Sequence, residues 1–102
     1  MSPRPPLLPP TDCDAALGEL RGWRIEGRKL VRTYDLPDFA RATACLAAVA
    51  VAAAELDHHP AWSGVYTKIA FELWTHDAGG ITRLDFDLAR RIEAVARALG
   101  AQ

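Results

Sequence analysis

The sequence predicts an α+β fold: a two-layer sandwich in which three helices cover one face of a four-stranded antiparallel sheet. Three observations carry that expectation. Segments of helical spacing and segments of two-residue alternation follow one another as helix, strand, strand, helix, strand, strand, helix. The strands come in two pairs joined by short turns, which suits an antiparallel sheet needing cover on one face only. At 102 residues, the chain is long enough to bury one core and too short for a second.

Residues 1–10 hold five of the seven prolines, so they predict an extended, flexible arm outside the fold, ahead of a single domain over residues 11–102. Thr11 followed by Asp14 makes a capping-box start, and Cys13, Ala16, Leu17 and Leu20 recur at helical spacing up to Gly22. Trp23 and Ile25 alternate with Arg24 and Glu26, Gly27 permits a tight reversal, and Leu30 to Tyr34 is β-prone, giving a hairpin over 23–35. Asp38 can cap the long second helix, whose Phe39, Thr43, Leu46, Ala50, Ala53 and Leu56 repeat at helical intervals until Pro60 forbids more. Trp62 to Val65 reads as a short strand. Ile69, Phe71 and Leu73 mark a longer one ending near Thr75, and Gly79 and Gly80 make the next turn. The third helix runs from about Arg83 to Leu99, with Leu88, Ile92, Val95 and Leu99 on its apolar stripe.

Composition excludes several classes of function. A net charge of -1 gives no electrostatic case for direct nucleic-acid or anionic-membrane binding. The longest apolar run, Ala44 to Ala54, is mostly alanine and too weakly hydrophobic to span a bilayer, and the proline arm has no core for a signal peptide. Cys13 and Cys45 form no C-x-x-C pair and read as buried thiols of a reducing cytoplasm. The expectation is a soluble, cytoplasmic protein.

All three histidines fall in one short stretch: His58, His59 and His76. Imidazole is the side chain suited to exchanging protons near neutrality, so this clustering points to proton transfer. His58 and His59 sit just past a helix C-terminus, where the negative end of the dipole favours imidazolium. The connection to His76 at the end of the long strand can return all three to one rim, with His58 and His76 at exposed element ends. A solvated helix end without a task is the plain alternative. A zinc site is the chemical one, with a fourth ligand from Asp57 or Asp77, but adjacent histidines point about 100° apart, whereas helix-borne metal pairs use i, i+4 spacing. Neither cysteine lies near the histidines, and Ser63 has no nucleophile-elbow context. Thr82-Arg83-Leu84-Asp85 is a capping-box pattern, so Asp85 is both a helix cap and a carboxylate able to orient a histidine. Trp62, Tyr66 and Trp74 are expected mainly in the core, although a flat heterocycle needs apolar walls and Trp62 lies just past Pro60. Asp57 reads as an exposed helix-end carboxylate, or as a partner of a site histidine.

The elements His58-His59-Pro60, Tyr66, Thr75-His76, Gly80-Ile81-Thr82 and Asp85 stand in an order and spacing that resembles the pterin-4a-carbinolamine dehydratases. Five residues separate Pro60 from Tyr66, nine separate Tyr66 from His76, and eight separate His76 from Asp85. The resemblance runs from about Glu55 to Ala89 and more loosely back to Gly22-Trp23. One departure is Ala54, at a position where many members of that family carry a polar residue. The resemblance implies the same α+β architecture and loss of water from a 4a-hydroxytetrahydropterin, giving quinonoid dihydropterin, with no metal or organic cofactor. It implies His58 and His76 as acid and base, His59 as a positioning group, Asp85 as an orienting carboxylate, and Asp57 and Trp62 as substrate-side residues. As partners it implies a pterin, a homodimer or homotetramer, and an aromatic amino acid hydroxylase whose cofactor is recycled. Two further roles come with it: a dimerisation module of the transcriptional-coactivator kind acting through the second helix, and molybdenum cofactor metabolism.

Overall fold

A computed structural model describes residues 4–102. The elements are α1 (Pro10–Leu17), β1 (Arg24–Glu26), β2 (Lys29–Asp35), α2 (Phe39–Leu56), β3 (Ala61–Val65), β4 (Lys68–Leu73) and α3 (Arg83–Ala98), with one turn of 3-10 helix at His76–Ala78. The strands form one antiparallel sheet in the order β1-β2-β4-β3. Leu30, Tyr34, Ile69, Phe71 and Leu73 share the face that the helices cover, and each is essentially buried. Thr33, Lys68 and Glu72 point the other way into water.

The first helix starts earlier than the sequence suggests. Pro9 is its N-cap, without a side-chain hydrogen bond, and Pro10 is its first residue. Proline's fixed φ and missing N–H suit that position, so Thr11 lies within the first turn and caps nothing. The proline arm also joins the fold. The Leu8 N–H donates to the Ile81 carbonyl at 3.0 Å, and the Leu8 side chain packs against the core. Two leucines in the arm supply apolar surface, which its proline content alone did not weigh.

By length and composition α2 could cross a membrane. In the fold it lies against the rest of the core through Ala42, Cys45, Val49, Ala52 and Ala53. At its start the Asp38 carboxylate accepts from the Arg41 N–H at 2.8 Å, as a cap should. At its end Asp57 adopts the left-handed conformation, φ 49 and ψ 45. The His58 N–H then reaches back to Ala53 O at 3.0 Å, and the Asp57 N–H to Ala54 O at 3.2 Å. This is a Schellman ending built on aspartate where glycine is usual. It turns the chain sharply and aims His58 back into the protein.

At the opposite end of the sheet a polar chain threads the core. The Trp23 indole N–H donates to the Tyr34 hydroxyl at 2.9 Å, which donates in turn to Glu93, and Glu93 also accepts from Arg97 Nε at 2.5 Å. Arg32 closes this end. Its guanidinium lies 4.5 Å from the centre of the Tyr34 ring and donates to the Arg21 carbonyl at 2.8 Å. Gly22 makes room for it, since a Cβ there would fall 1.0 Å from Arg32 Nη1.

Burial pushes the Glu93 carboxyl pKa up, but the Tyr34 hydrogen bond and the Arg97 and Arg32 charges outweigh it, and the net shift is downward. A depressed carboxylate stabilises the fold above its unfolded pKa of about 4.3 and loses that contribution as pH falls through its folded value. Glu93→Gln should therefore flatten the decline of stability between roughly pH 5 and pH 3, with urea unfolding across that range as the measurement. An unchanged slope would show that Glu93 is not a source of acid lability.

Candidate active site

Three elements meet where α2 ends, β4 ends and α3 begins. The Schellman turn delivers His58, which is 6 % exposed. β4 continues past Leu73 through Trp74 to Thr75, whose N–H donates to Gly80 O at 2.8 Å. Between these two residues the 3-10 turn carries His76 and ends on Gly79 at φ 76, a conformation that favours glycine. Thr82 caps α3, and Asp85, three residues on, returns its carboxylate to the Thr82 N–H at 2.9 Å, completing the capping box.

Asp85 does more than cap. One carboxylate oxygen lies 2.6 Å from His58 Nε2. The other accepts from Thr75 Oγ1 at 3.0 Å as well as from the Thr82 N–H. Thr75 and Thr82 share a hydrogen bond of 2.7 Å between their hydroxyls. All four side chains are buried. A carboxylate without access to water must be satisfied from within, and this one is satisfied by three different elements. Because a carboxylate only accepts, Nε2 of His58 carries the proton, and in the neutral ring Nδ1 holds the free lone pair. His58 is thus a buried, oriented imidazole, not the exposed element end that the sequence suggests.

His58, His59 and His76 line one cavity of about 240 Å³, together with Trp74 and Thr75. Arg4 and Asp77 complete its lining. His59 and His76 are exposed, which leaves them free to meet a ligand. The volume lies just below the range of about 300–1,000 Å³ usual for small-molecule sites, so a bicyclic ring would project any substituent through the mouth. A cleft of about 450 Å³ between the arm, α1 and the β1–β2 hairpin is larger, but no histidine lines it. Among the described residues no three His, Cys, Asp or Glu side chains are placed to hold a metal ion.

Two expected site residues lie elsewhere. Trp62 is 55 % exposed and lines an adjoining apolar groove with Leu46, Val49 and Ala53; His59 borders both spaces. Asp57 meets no histidine, because its left-handed backbone sends its side chain outward. Its Oδ2 sits 3.5 Å from Arg4 Nη2. Neither Trp62 nor Tyr66 is core; Tyr66 is 71 % exposed and stacks on Phe39. Arg4 is a lining residue the sequence did not single out, and Trp74, expected mainly in the core, is only half-buried and lines the cavity beside Thr75. For Trp74 the signal was there: strand alternation from buried Leu73 puts it on the uncovered face, directly before Thr75-His76.

The chain matches the family described as Pterin 4 alpha carbinolamine dehydratase over residues 6–95. A relative from Rhodopseudomonas palustris (strain BisB18) that carries the pterin-4-alpha-carbinolamine dehydratase name is 48% identical over 86% of this chain and 89% of its own length. One from Synechococcus sp. (strain WH7803) with the same name is 40% identical, covering 87% and 96% respectively. The crystal structure of a transcriptional coactivator/pterin dehydratase from Brucella melitensis superimposes with a TM-score of 0.85 at 36% identity, covering 88% of this chain and 98% of that one.

Removing the buried carboxylate should cost more than a cap alone. Asp85→Ala is expected to destabilise the fold by about 3–5 kcal/mol, because the buried imidazole, the Thr75 hydroxyl and a backbone N–H lose their acceptor. Asp85→Asn, which keeps the shape and one acceptor, should cost about 1–3 kcal/mol. Equilibrium urea unfolding of both variants is the check. A loss below about 1 kcal/mol in the alanine variant would mean that Asp85 is only a surface-type cap.

Proposed function

The chain belongs to the pterin-4a-carbinolamine dehydratase family of hydro-lyases, and we propose that its histidine cavity performs that reaction by general acid and base catalysis. The observation that carries this reading is the gathering of three imidazoles on one cavity, one of them held by a buried carboxylate. Dehydration breaks the C4a–O bond of the carbinolamine. Hydroxide is a poor leaving group, so the oxygen must receive a proton and depart as water while a ring nitrogen gives one up and a double bond forms. His58 is suited to take the nitrogen's proton, since Asp85 fixes its tautomer and stabilises the imidazolium that results. His76, exposed in the same cavity lining, is suited to protonate the leaving oxygen. His59 positions the substrate, and Trp74 offers an apolar wall to the bicycle. Each proton transfer of this kind contributes typically about 10² to 10⁴ in rate, roughly 3 to 5 kcal/mol of barrier.

The upstream reaction is one that leaves a hydroxyl on C4a, which is the chemistry of aromatic amino acid hydroxylases, and the enzyme would return their cofactor. Unpaired, buried Cys13 and Cys45 fit a reducing cytoplasmic setting. The protein also suits self-association. β3 is an edge strand with its outer side unpaired, and Phe39, Val51, Trp62, Val65 and Tyr66 are all more than half exposed along β3 and the outer side of α2. A second copy pairing here would cover both the strand edge and the apolar surface. The same surface is what an interaction module would use, so catalysis has to be tested separately from assembly.

His76→Ala is the cleanest catalytic test, because His76 is exposed and holds no other element in place. It should lower carbinolamine breakdown by about 10² or more with thermal unfolding unchanged. His58→Ala should lower it as well and also weaken the fold, since Asp85 would be left facing a void. The double variant should lose less than the product of the two, as groups acting in one step do. A wild type no faster than buffer on any tetrahydropterin carbinolamine would end the catalytic reading. For assembly, light scattering at micromolar concentration should give two or four chains, and Val65→Lys on the strand edge should reduce that mass; a monomeric wild type would refute self-association.

A further inference from the structure

We propose that Arg4 is a substrate-binding residue of the histidine cavity, donating from its guanidinium to an oxygen acceptor on a neutral pterin. This rests on the function proposed above and assigns part of its recognition to the N-terminal arm. Arg4 lines the cavity beside the three histidines, and its side chain is only 29% exposed, which is low for a guanidinium so near a chain end. The arm holds it there. Leu8 is tied to Ile81 by a backbone hydrogen bond, and Leu7 lies over Gly80, where even a Cβ would come within 2.9 Å of Leu7 Cδ2.

The guanidinium is under-used by the protein. Its hydrogen bond among the described residues is the long one to Asp57, at 3.5 Å, whereas an arginine has five N–H donors and no acceptor. Donors left over at the rim of a cavity are what a heterocycle rich in carbonyl and hydroxyl oxygens requires. Charge narrows the ligand further. Asp57 contacts Arg4 and Asp77 lines the same cavity, so the guanidinium is faced by two carboxylates, and a phosphorylated or carboxylated substituent gains little there. The family match begins at residue 6, which leaves Arg4 outside the matched segment. Asp57 has a defined part in this recognition, as the anchor that keeps the guanidinium at the mouth.

Two measurements on wild type, Arg4→Ala, Arg4→Lys and Asp57→Asn test this. The first is steady-state carbinolamine dehydration; the second is fluorescence titration with biopterin, a stable oxidised pterin that does not react. Arg4→Ala should raise KM and the biopterin dissociation constant by about tenfold, with kcat within about twofold and the unfolding temperature unchanged. Arg4→Lys should recover part of the binding, since it keeps the charge and loses the fork. Asp57→Asn should raise both constants by less, and the Arg4→Ala/Asp57→Asn double variant should match Arg4→Ala alone. An Arg4→Ala variant that binds and reacts as wild type does, or whose kcat falls together with its unfolding temperature, would overturn the assignment. If wild type binds biopterin through Arg4 yet dehydrates nothing, the dehydratase reading fails and the Arg4 site stands. If wild type neither binds nor reacts, both fall.

Discussion

The structure depends on a single buried carboxylate. Asp85 accepts from His58, Thr75 and the Thr82 backbone, which belong respectively to the turn after α2, the end of β4 and the cap of α3. Isolated in a protein interior, a carboxylate costs several kcal/mol; shared among these partners, it becomes the joint that sets how three elements meet. The same hydrogen bonds that hold the joint together decide which nitrogen of His58 carries its proton. The fold of this joint and the tautomer of His58 are therefore specified by one group, and neither can be altered at this position without the other.

Much of this was legible in the chain. Asp38 and the Thr82–Asp85 box announce their helices because local side-chain-to-backbone hydrogen bonds need only local sequence. The hairpin turned by Gly27 and the turn at Gly79-Gly80 are legible because positive φ selects glycine. The histidine cluster stands out because its residue type is rare and its spacing tight. What stayed hidden was tertiary. Nothing in Asp57 itself reveals that it would adopt a left-handed cap and turn outward, since aspartate is an uncommon occupant of that position. Trp62 follows strand alternation correctly to the helix-covered side, yet β3 is an edge strand, so that side opens into a groove bordered by α2 and leaves the ring half in water. Arg4 was set aside with its prolines, and only the packing of Leu7 and Leu8 brings it to the cavity.

The surface keeps the histidine cavity apart from the exposed apolar side chains while leaving the two adjacent. The histidine cavity occupies one end of the sheet, and the exposed apolar side chains run along α2 and β3. His59 borders both the cavity and the Trp62 groove. Whatever covers that groove would change the water around His59 first, ahead of the buried His58–Asp85 pair. Among the three imidazoles, His59 is the one placed to feel a neighbouring surface.

The two ends of the described chain sit at opposite ends of the sheet. Arg4 reaches the cavity near the Leu30–Leu73 end of the β2–β4 ladder, while the Gln102 N–H bonds to the Asp35 carbonyl at 2.9 Å, beside the Asp35–Lys68 end. Handling the protein therefore has a polarity. An affinity tag or fluorescent partner joined ahead of Arg4 would load its bulk onto the mouth of the site and compete with anything entering, whereas the same cargo attached after Gln102 would ride on the far side. Immobilisation for binding measurements should grip the carboxyl terminus.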